Sequence, residues 1–216
     1  MFFSSLGDGE KVFEELRRVK DFNYKIVCEE EMEIFNKIFN LNNKIIFSGE
    51  FEDFFKFAPI FREKFIFVIF SSKADKPFLE RLNLLGVNYS SMVLVGLREI
   101  RLLDRQFLDF NKIKYYEMRN VEDLESVCDV VMEFANIPNY KCGLIIDFSV
   151  IDPAFAPGVS EIFPAGFSSR EIIYFSKRFS LVRNLLMVSL CGFKLSKDVE
   201  NMTKKLGALV LKEFCK

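Results

Sequence analysis

Short apolar runs alternate with longer amphipathic segments along most of this 216-residue chain. The runs Phe65–Phe70 and Met92–Leu97 are hydrophobic on both alternating sets of positions, which is typical of strands buried on both faces of a parallel sheet. The same pattern predicts further strands near residues 24–28, 44–48, 112–116, 143–147 and 185–190. Amphipathic spacing predicts helices near residues 11–20, 29–39, 50–60, 104–110, 121–135, 168–179 and 197–214.

This alternation of strands and helices predicts one α/β domain over residues 1–216, with three α/β/α layers and a mainly parallel sheet. Ser168 followed three residues later by Glu171 predicts a capping box that opens a helix. In such a fold, ligands bind where the strands end at their carboxyl tips. Residues that directly follow the predicted strands are therefore the candidates for function.

Composition narrows the classes of protein and of site. A net charge of −1 indicates neither a nucleic-acid nor an anionic-membrane partner. The greasiest run, Phe65–Phe70, is too short to span a bilayer, and the N-terminal segment lacks the basic region of a signal peptide. Five scattered cysteines indicate reduced thiols, so we expect a cytoplasmic protein. With no histidine in the chain, zinc sites and His-based triads would need unusual substitutes.

One segment has a specific pattern. Residues 144–158, LIIDFSVIDPAFAPG, end an apolar run at Asp147 and continue into a turn that contains Asp152. This segment resembles the ureohydrolase family, which includes arginase, agmatinase and formimidoylglutamase. There the strand end reads Asp-x-Asp, the turn is nearly identical, and two manganese ions are held. The resemblance implies an arginase-like fold in which Ser149 replaces the second metal-binding aspartate.

The resemblance extends to the ends of two earlier strands. It places Ser71 at a metal-binding aspartate, Lys73 at a histidine ligand and Asp75 at a retained carboxylate. After the strand near 44–48, Phe51 takes the place of another histidine ligand. Glu50 belongs to an acidic cluster there, which we interpret as favouring a helix start rather than a remodelled metal site.

Lower-specificity matches extend to the C-terminus. Alignment through Thr203 puts Ser189 at the aspartate of the family's Asp-x-x-Glu motif and Gly192 at its glutamate, which helps to hold the substrate's guanidinium. The segments 95–98 and 164–171 also resemble family motifs, so the match runs from about residue 44 onwards. The loop after Asp75 is short, and residues 76–91 have no counterpart that carries the family's catalytic groups.

These substitutions imply that the dimetal chemistry has been removed. Only Asp75 and Asp147 could still bind a hard cation, and two carboxylates make a poor manganese site. We therefore expect no metal cofactor. We expect Lys73 to point inward and pair with Asp147, Asp75 or both, although a solvent-facing lysine is the commoner arrangement.

The leading hypothesis is a degenerate ureohydrolase, not active as an arginase or agmatinase and retained for binding or assembly. It would act as a homo-oligomer or in a hetero-oligomer with an intact ureohydrolase. The alternative is an active hydrolase of guanidino or amidino C–N bonds. That enzyme would hold a single Mn²⁺ or Mg²⁺ on Asp75, Asp147 and either Glu50 or Glu52. A third hypothesis is a protein that binds a small ligand in the pocket corresponding to the family's active site, without catalysing a reaction.

Overall fold

A parallel sheet forms the centre of the molecule. The computed structural model describes residues 2–5, 11–12, 14–15, 25–26, 45–48, 54–55, 64–98, 100–121 and 123–215. Within them, eight strands are parallel to their neighbours in the order β2-β1-β3-β8-β7-β4-β5-β6. In chain order they are β1 (Phe2–Ser5), β2 (Lys25–Ile26), β3 (Ile45–Ser48), β4 (Phe65–Phe70), β5 (Met92–Leu97), β6 (Lys114–Glu117), β7 (Lys141–Asp147) and β8 (Leu185–Cys191).

Besides helical residues at 11–12 and 14–15, five α-helices with described bounds pack on the two faces of this sheet. They are α1 (Lys76–Leu84), α2 (Leu102–Phe110), α3 (Leu124–Ala135), α4 (Ser169–Phe179) and α5 (Met202–Phe214). Buried residues of α3, α4 and α5 belong to one hydrophobic core, and buried residues of α1 and α2 belong to the other. The predicted three-layer α/β/α architecture with a mainly parallel sheet is therefore confirmed.

The central strand β4 shows how the sequence pattern produces two cores. Ile66, Val68 and Phe70 pack into the core beneath α3, α4 and α5. The alternate residues Phe65, Phe67 and Ile69 pack into the core beneath α1 and α2. Because successive side chains of a strand point to opposite faces, an uninterrupted apolar run can bury every side chain only between two layers. All six β4 residues are buried.

Helix starts follow their capping residues. The predicted capping box is confirmed at α4, where Glu171 N donates to Ser168 Oγ at 3.3 Å and Ser168 N donates to Glu171 Oε2 at 2.6 Å.

The interpretation of the segment after Asp75 as a loop was wrong, because α1 begins there. Asp75 caps α1, and Pro77 occupies the first turn, where a proline costs no hydrogen bond. Asp75 and Pro77 were the sequence signal for the start of α1 that the prediction missed.

Other boundaries differ from the sequence prediction by a few residues. Strand β1 was not predicted, and the helix expected from residue 197 begins at Met202, after a 3₁₀ turn at Leu195–Lys197. The helix predicted over 29–39 lies outside the described residues, as do most of those predicted over 11–20 and 50–60. No helix among the described residues has the length and apolar character needed to span a membrane.

Candidate functional site

The neighbouring strands β4 and β7 bring the first candidate residues together. Phe70 pairs in register with Ile146, so Ser71 and Asp147, one residue further along each strand, are neighbours at the carboxyl edge. Ser71 Oγ donates a hydrogen bond to Asp147 Oδ2 at 3.0 Å. The strand order therefore explains how residues far apart in sequence share one place, as expected for strand ends in a parallel sheet.

Three serines surround the Asp147 carboxylate. Ser149 N donates to Asp147 Oδ1 at 2.9 Å, and Ser149 Oγ donates to Oδ2 at 2.6 Å. The hydroxyls of Ser72 and Ser149 lie 2.8 Å apart and share a further hydrogen bond. Ser71, Ser72, Asp147 and Ser149, here named the Asp147 cluster, are all buried. Their hydrogen bonds satisfy one another within the protein.

Gly192 closes the cluster from the end of β8. It has a φ of +79°, and a Cβ added there would overlap Asp147 Oδ1 and lie 3.3 Å from Phe148 N. Backbone therefore lies directly against this carboxylate oxygen, an approach that only glycine permits. The position aligned with a substrate-binding glutamate thus packs against Asp147.

The environment of Asp147 shifts the pKa of its carboxyl group upward. Burial raises the pKa of Asp147, and this effect exceeds the lowering by hydrogen bonds from Ser149 and Ser71 and by the charge of Lys73. The donors to Asp147 within the cluster are neutral, so no formal charge at hydrogen-bond distance compensates for lost hydration. A carboxyl in this setting takes up a proton more readily than one in water.

The predicted ion pair of Lys73 with Asp147 or Asp75 was wrong in its partner. Among the described residues, Lys73 Nζ pairs instead with Glu161 Oε1, at 2.5 Å. The two side chains are 36% and 42% exposed, so the pair stands at the surface of the site. Burial lowers the pKa of Lys73, but the hydrogen bond and charge of Glu161, with the charges of Asp75 and Asp147, raise it overall.

Asp75 and Asp152 have backbone partners. Asp75 Oδ1 accepts from Phe78 N at 3.0 Å as the cap of α1. Asp152 accepts from Ala154 N at 2.9 Å and from Ala165 N at 2.7 Å, which ties two parts of the loop after β7 together. The Ala154 hydrogen bond is the main cause that lowers the pKa of Asp152. Both carboxylates hold local structure.

The remaining predicted positions lie elsewhere. Glu50 and Phe51 lie outside the described residues. Ser189 is buried, and its Oγ has no hydrogen-bond partner in the part of the chain that the structure describes, so it does not join the Asp147 cluster there. Thr203 Oγ1 accepts from Gly158 N at 2.7 Å and fixes the end of the turn that carries the family resemblance.

The described residues do not fit a two-metal centre. Across the described ranges, no group of three or more His, Cys, Asp or Glu side chains is arranged to hold a metal ion. Asp147 already accepts three hydrogen bonds, out of about four lone-pair positions that a carboxylate offers. The hydroxyls of Ser71 and Ser149 supply no negative charge, which manganese sites require.

Sequence reasoning missed several residues at this edge of the sheet. Ser72 and Glu161 carried no motif, although Ser72 adjoins a predicted site residue. Glu117, at the end of β6, pairs with Arg105 Nη1 and with Arg119 Nε, each at 2.8 Å. We name these three residues the Glu117 clamp. A carboxylate at a strand end followed two residues later by an arginine was the available signal.

Burial and pairing act in opposite directions on Glu117. Burial acts to raise the pKa of Glu117, but the hydrogen bonds and charges of Arg105 and Arg119 outweigh it and hold the pKa below its usual value. Glu117 therefore stays ionised. Its environment is the electrostatic opposite of the one around Asp147.

Comparison with known proteins relates this architecture to one family. A family model described as the arginase family matches residues 76–216, while curated protein sequences give no match. Arginase from Bacillus subtilis superposes with a TM-score of 0.84 at 12% identity, covering 99% of this chain and 97% of the arginase chain. Formimidoylglutamase from the same organism gives 0.81 at 12% identity, covering 99% of this chain and 85% of that chain. Agmatine ureohydrolase of Thermoplasma volcanium gives 0.74 at 15% identity, covering 99% and 87%.

Proposed function

Because this chain belongs to the arginase family, we propose that it is a degenerate member, without the dimanganese centre and without arginase or agmatinase activity, retained for binding or assembly. The observation that carries the proposal is the state of Asp147. Its two oxygens accept hydrogen bonds from Ser71 and Ser149, and Gly192 packs against Oδ1. A carboxylate that ligates a metal must direct free lone pairs at the ion.

Net charge at the site also supports the absence of a metal. Replacement of carboxylates by Ser71 and Ser149 removes the negative charge that would hold a divalent ion. The Lys73 ammonium, which pairs with Glu161, adds positive charge that acts more weakly on Asp75 and Asp147. This charge opposes the binding of a divalent cation near those two carboxylates.

A metal and activity assay tests this proposal. The purified protein is incubated with Mn²⁺, desalted, and assayed for bound metal and for hydrolysis of arginine and agmatine. We expect manganese well below one ion per chain and no hydrolysis above the uncatalysed rate, because hydrogen bonds already occupy three of the about four lone-pair positions of Asp147.

Asp147→Asn is the matched control, because it removes the charge at nearly constant shape. If the wild type holds stoichiometric manganese and the variant loses it, Asp147 is a ligand and the proposal is wrong. Turnover of either substrate that depends on Mn²⁺ or Mg²⁺ would establish the single-metal hydrolase instead.

A role in assembly is the second part of the proposal. Its support is that the chain keeps an arginase fold over 99% of its length while the positions of the centre are changed. We expect a homo-oligomer, or a complex with an intact, histidine-containing family member. Mass measurement after co-expression with such a relative checks this, and a monomer under both conditions would contradict it.

We propose a cytoplasmic location. Cys128 and Cys142 are buried and form no disulfide among the described residues, and burial raises the pKa of Cys142 to about 12 and that of Cys128 to about 11. Such protonated, unpaired thiols suit a reducing compartment. Localisation of a tagged full chain tests this, and export from the cell would contradict it.

A further inference from the structure

A cavity of about 440 Å³ lies at the carboxyl edge of the sheet beside the Glu117 clamp. Its lining includes Arg98, which follows β5, and Glu117, which ends β6. The carboxyl end of a parallel sheet is where ligands bind in open α/β folds. This cavity adjoins the Asp147 cluster through Arg98, which donates to Ser149 O, but no residue of that cluster lines it.

The clamp leaves donors free to face a ligand. Glu117 uses Oε1 for Arg105 Nη1 and Oε2 for Arg119 Nε. Among the described residues, both Nη groups of Arg119, and Nε and Nη2 of Arg105, have no hydrogen-bond partner. One buried carboxylate therefore fixes two guanidinium groups in position without using most of their N–H donors.

Arg98 adds a charge that no carboxylate balances at contact distance. Its Nη1 donates to Phe163 O at 2.7 Å and its Nη2 donates to Ser149 O, both of them neutral carbonyls. No salt bridge to Arg98 forms among the described residues. The described lining thus sets three guanidinium groups against one carboxylate, Glu117.

The rest of the lining is largely apolar and includes Ile100, Met118 and Pro164. We propose that this cavity binds a small molecule that carries an oxyanion, a carboxylate or a phosphate group, on an apolar body. Guanidinium groups match the geometry of both oxyanions and bind them with charge-assisted hydrogen bonds. The apolar walls would cover the body of the ligand, as in most small-molecule sites.

Titration calorimetry on the full chain in EDTA tests the proposal, because EDTA makes the result independent of any metal. The probes are hexanoate, the uncharged hexan-1-ol and inorganic phosphate. We expect hexanoate to bind at least about tenfold more tightly than hexan-1-ol, since the alcohol lacks the oxyanion. Displacement of hexanoate by phosphate would assign a phosphate-bearing ligand, and failure to displace it would assign a carboxylate.

Variants locate the binding. Arg105→Gln should weaken hexanoate binding by about tenfold or more. Arg178→Gln is the matched control, since Arg178 also pairs with a carboxylate and is 34% exposed, against 35% for Arg105. The control should change affinity less than about twofold, because screening weakens distant charges. Arg119→Gln, at a side chain that is 70% exposed, replaces Arg105→Gln if that variant does not fold.

Three results would overturn the proposal: no binding of hexanoate or phosphate at millimolar concentration, equal binding of hexan-1-ol, or equal losses in Arg105→Gln and Arg178→Gln. None of them bears on manganese content. A failure here and a failure of the proposed loss of catalysis are therefore distinguishable.

Discussion

Asp147 and Glu117 are both buried carboxylates at one edge of the same sheet, with 3% and 7% of their surface exposed, yet they are held in opposite electrostatic states. Asp147 accepts hydrogen bonds from neutral serine groups, and burial raises its pKa. Glu117 is paired with two guanidinium groups, and its pKa is lowered against the effect of burial. The pKa values of the two carboxyl groups are thus shifted in opposite directions, and the guanidinium donors of Glu117 cause its lowering.

The two regions also differ in what they leave free. In the Asp147 cluster, the hydrogen bonds are internal and Gly192 packs against the carboxylate. In the Glu117 clamp, both carboxylate oxygens pair with arginines, but several guanidinium N–H donors beside the cavity have no partner among the described residues. The Asp147 cluster is therefore closed to a ligand, whereas the Glu117 clamp offers hydrogen-bond donors to one. This difference supports the proposed ligand binding at the Glu117 clamp rather than at the Asp147 cluster.

The largest effect is expected for Gly192→Ala, which tests the closure of the Asp147 cluster. The new methyl group would overlap Asp147 Oδ1, and the backbone φ of +79° disfavours alanine. We expect a loss of about 3 kcal/mol in the free energy of unfolding, measured by urea denaturation. Gly86→Ala is the control, because Gly86 has a φ of +96° but nothing within 4 Å of an added Cβ.

The control should lose only the backbone strain, about 1 kcal/mol. Equal losses in the two glycine variants would mean that the contact with Asp147 Oδ1 contributes nothing, and the closed cluster would then be wrong.

The contrast in pKa should appear as opposite pH dependences. The pKa of Asp147 is higher in the folded state than its ordinary value of 3.8, so the folded protein binds more protons at this group. The stability of the wild type relative to Asp147→Asn should therefore fall as the pH rises above 3.8. Glu117 has a lowered pKa, so wild-type stability relative to Glu117→Gln is present above 4.5, its ordinary value, and falls as pH drops below it. Each slope can reach about 1.4 kcal/mol per pH unit.

Urea denaturation of both variants and the wild type between pH 3 and pH 7 (roughly the range over which carboxyl groups titrate) measures the two slopes. The same sign of slope for both carboxylates would show that their surroundings do not differ as the hydrogen bonds indicate.

The smallest effect is expected for Lys73→Met. Its partner is Glu161, and both side chains are more than one-third exposed, so solvent screens the pair. We expect the free energy of unfolding at neutral pH to change by no more than about 0.5 kcal/mol, with Glu161→Gln giving a similar value. A much larger loss for Lys73→Met alone would restore the predicted role of Lys73 as a counter-charge to Asp147.

The fold was predictable to the extent that local patterns carry it. The apolar run Phe65–Phe70 had to be a doubly buried strand, and the Ser168–Glu171 capping box marked the start of α4. The helix α1 was missed because the segment was interpreted through the family motif rather than through its own Asp75 cap and Pro77. Attention to capping chemistry would have corrected that prediction.

The sequence by itself determined the family resemblance and the absence of histidine, and it predicted that Ser71 and Ser149 stand where the family has acidic residues, since these are matters of residue identity. Only the tertiary structure decided that Lys73 pairs with Glu161, that Gly192 packs on Asp147, and that Glu117 joins two arginines. The physical reason is that a parallel sheet fixes which strand ends are neighbours, while side-chain reach and loop paths choose the partners. Eighty-eight residues separate Lys73 from Glu161, and no local pattern connects them.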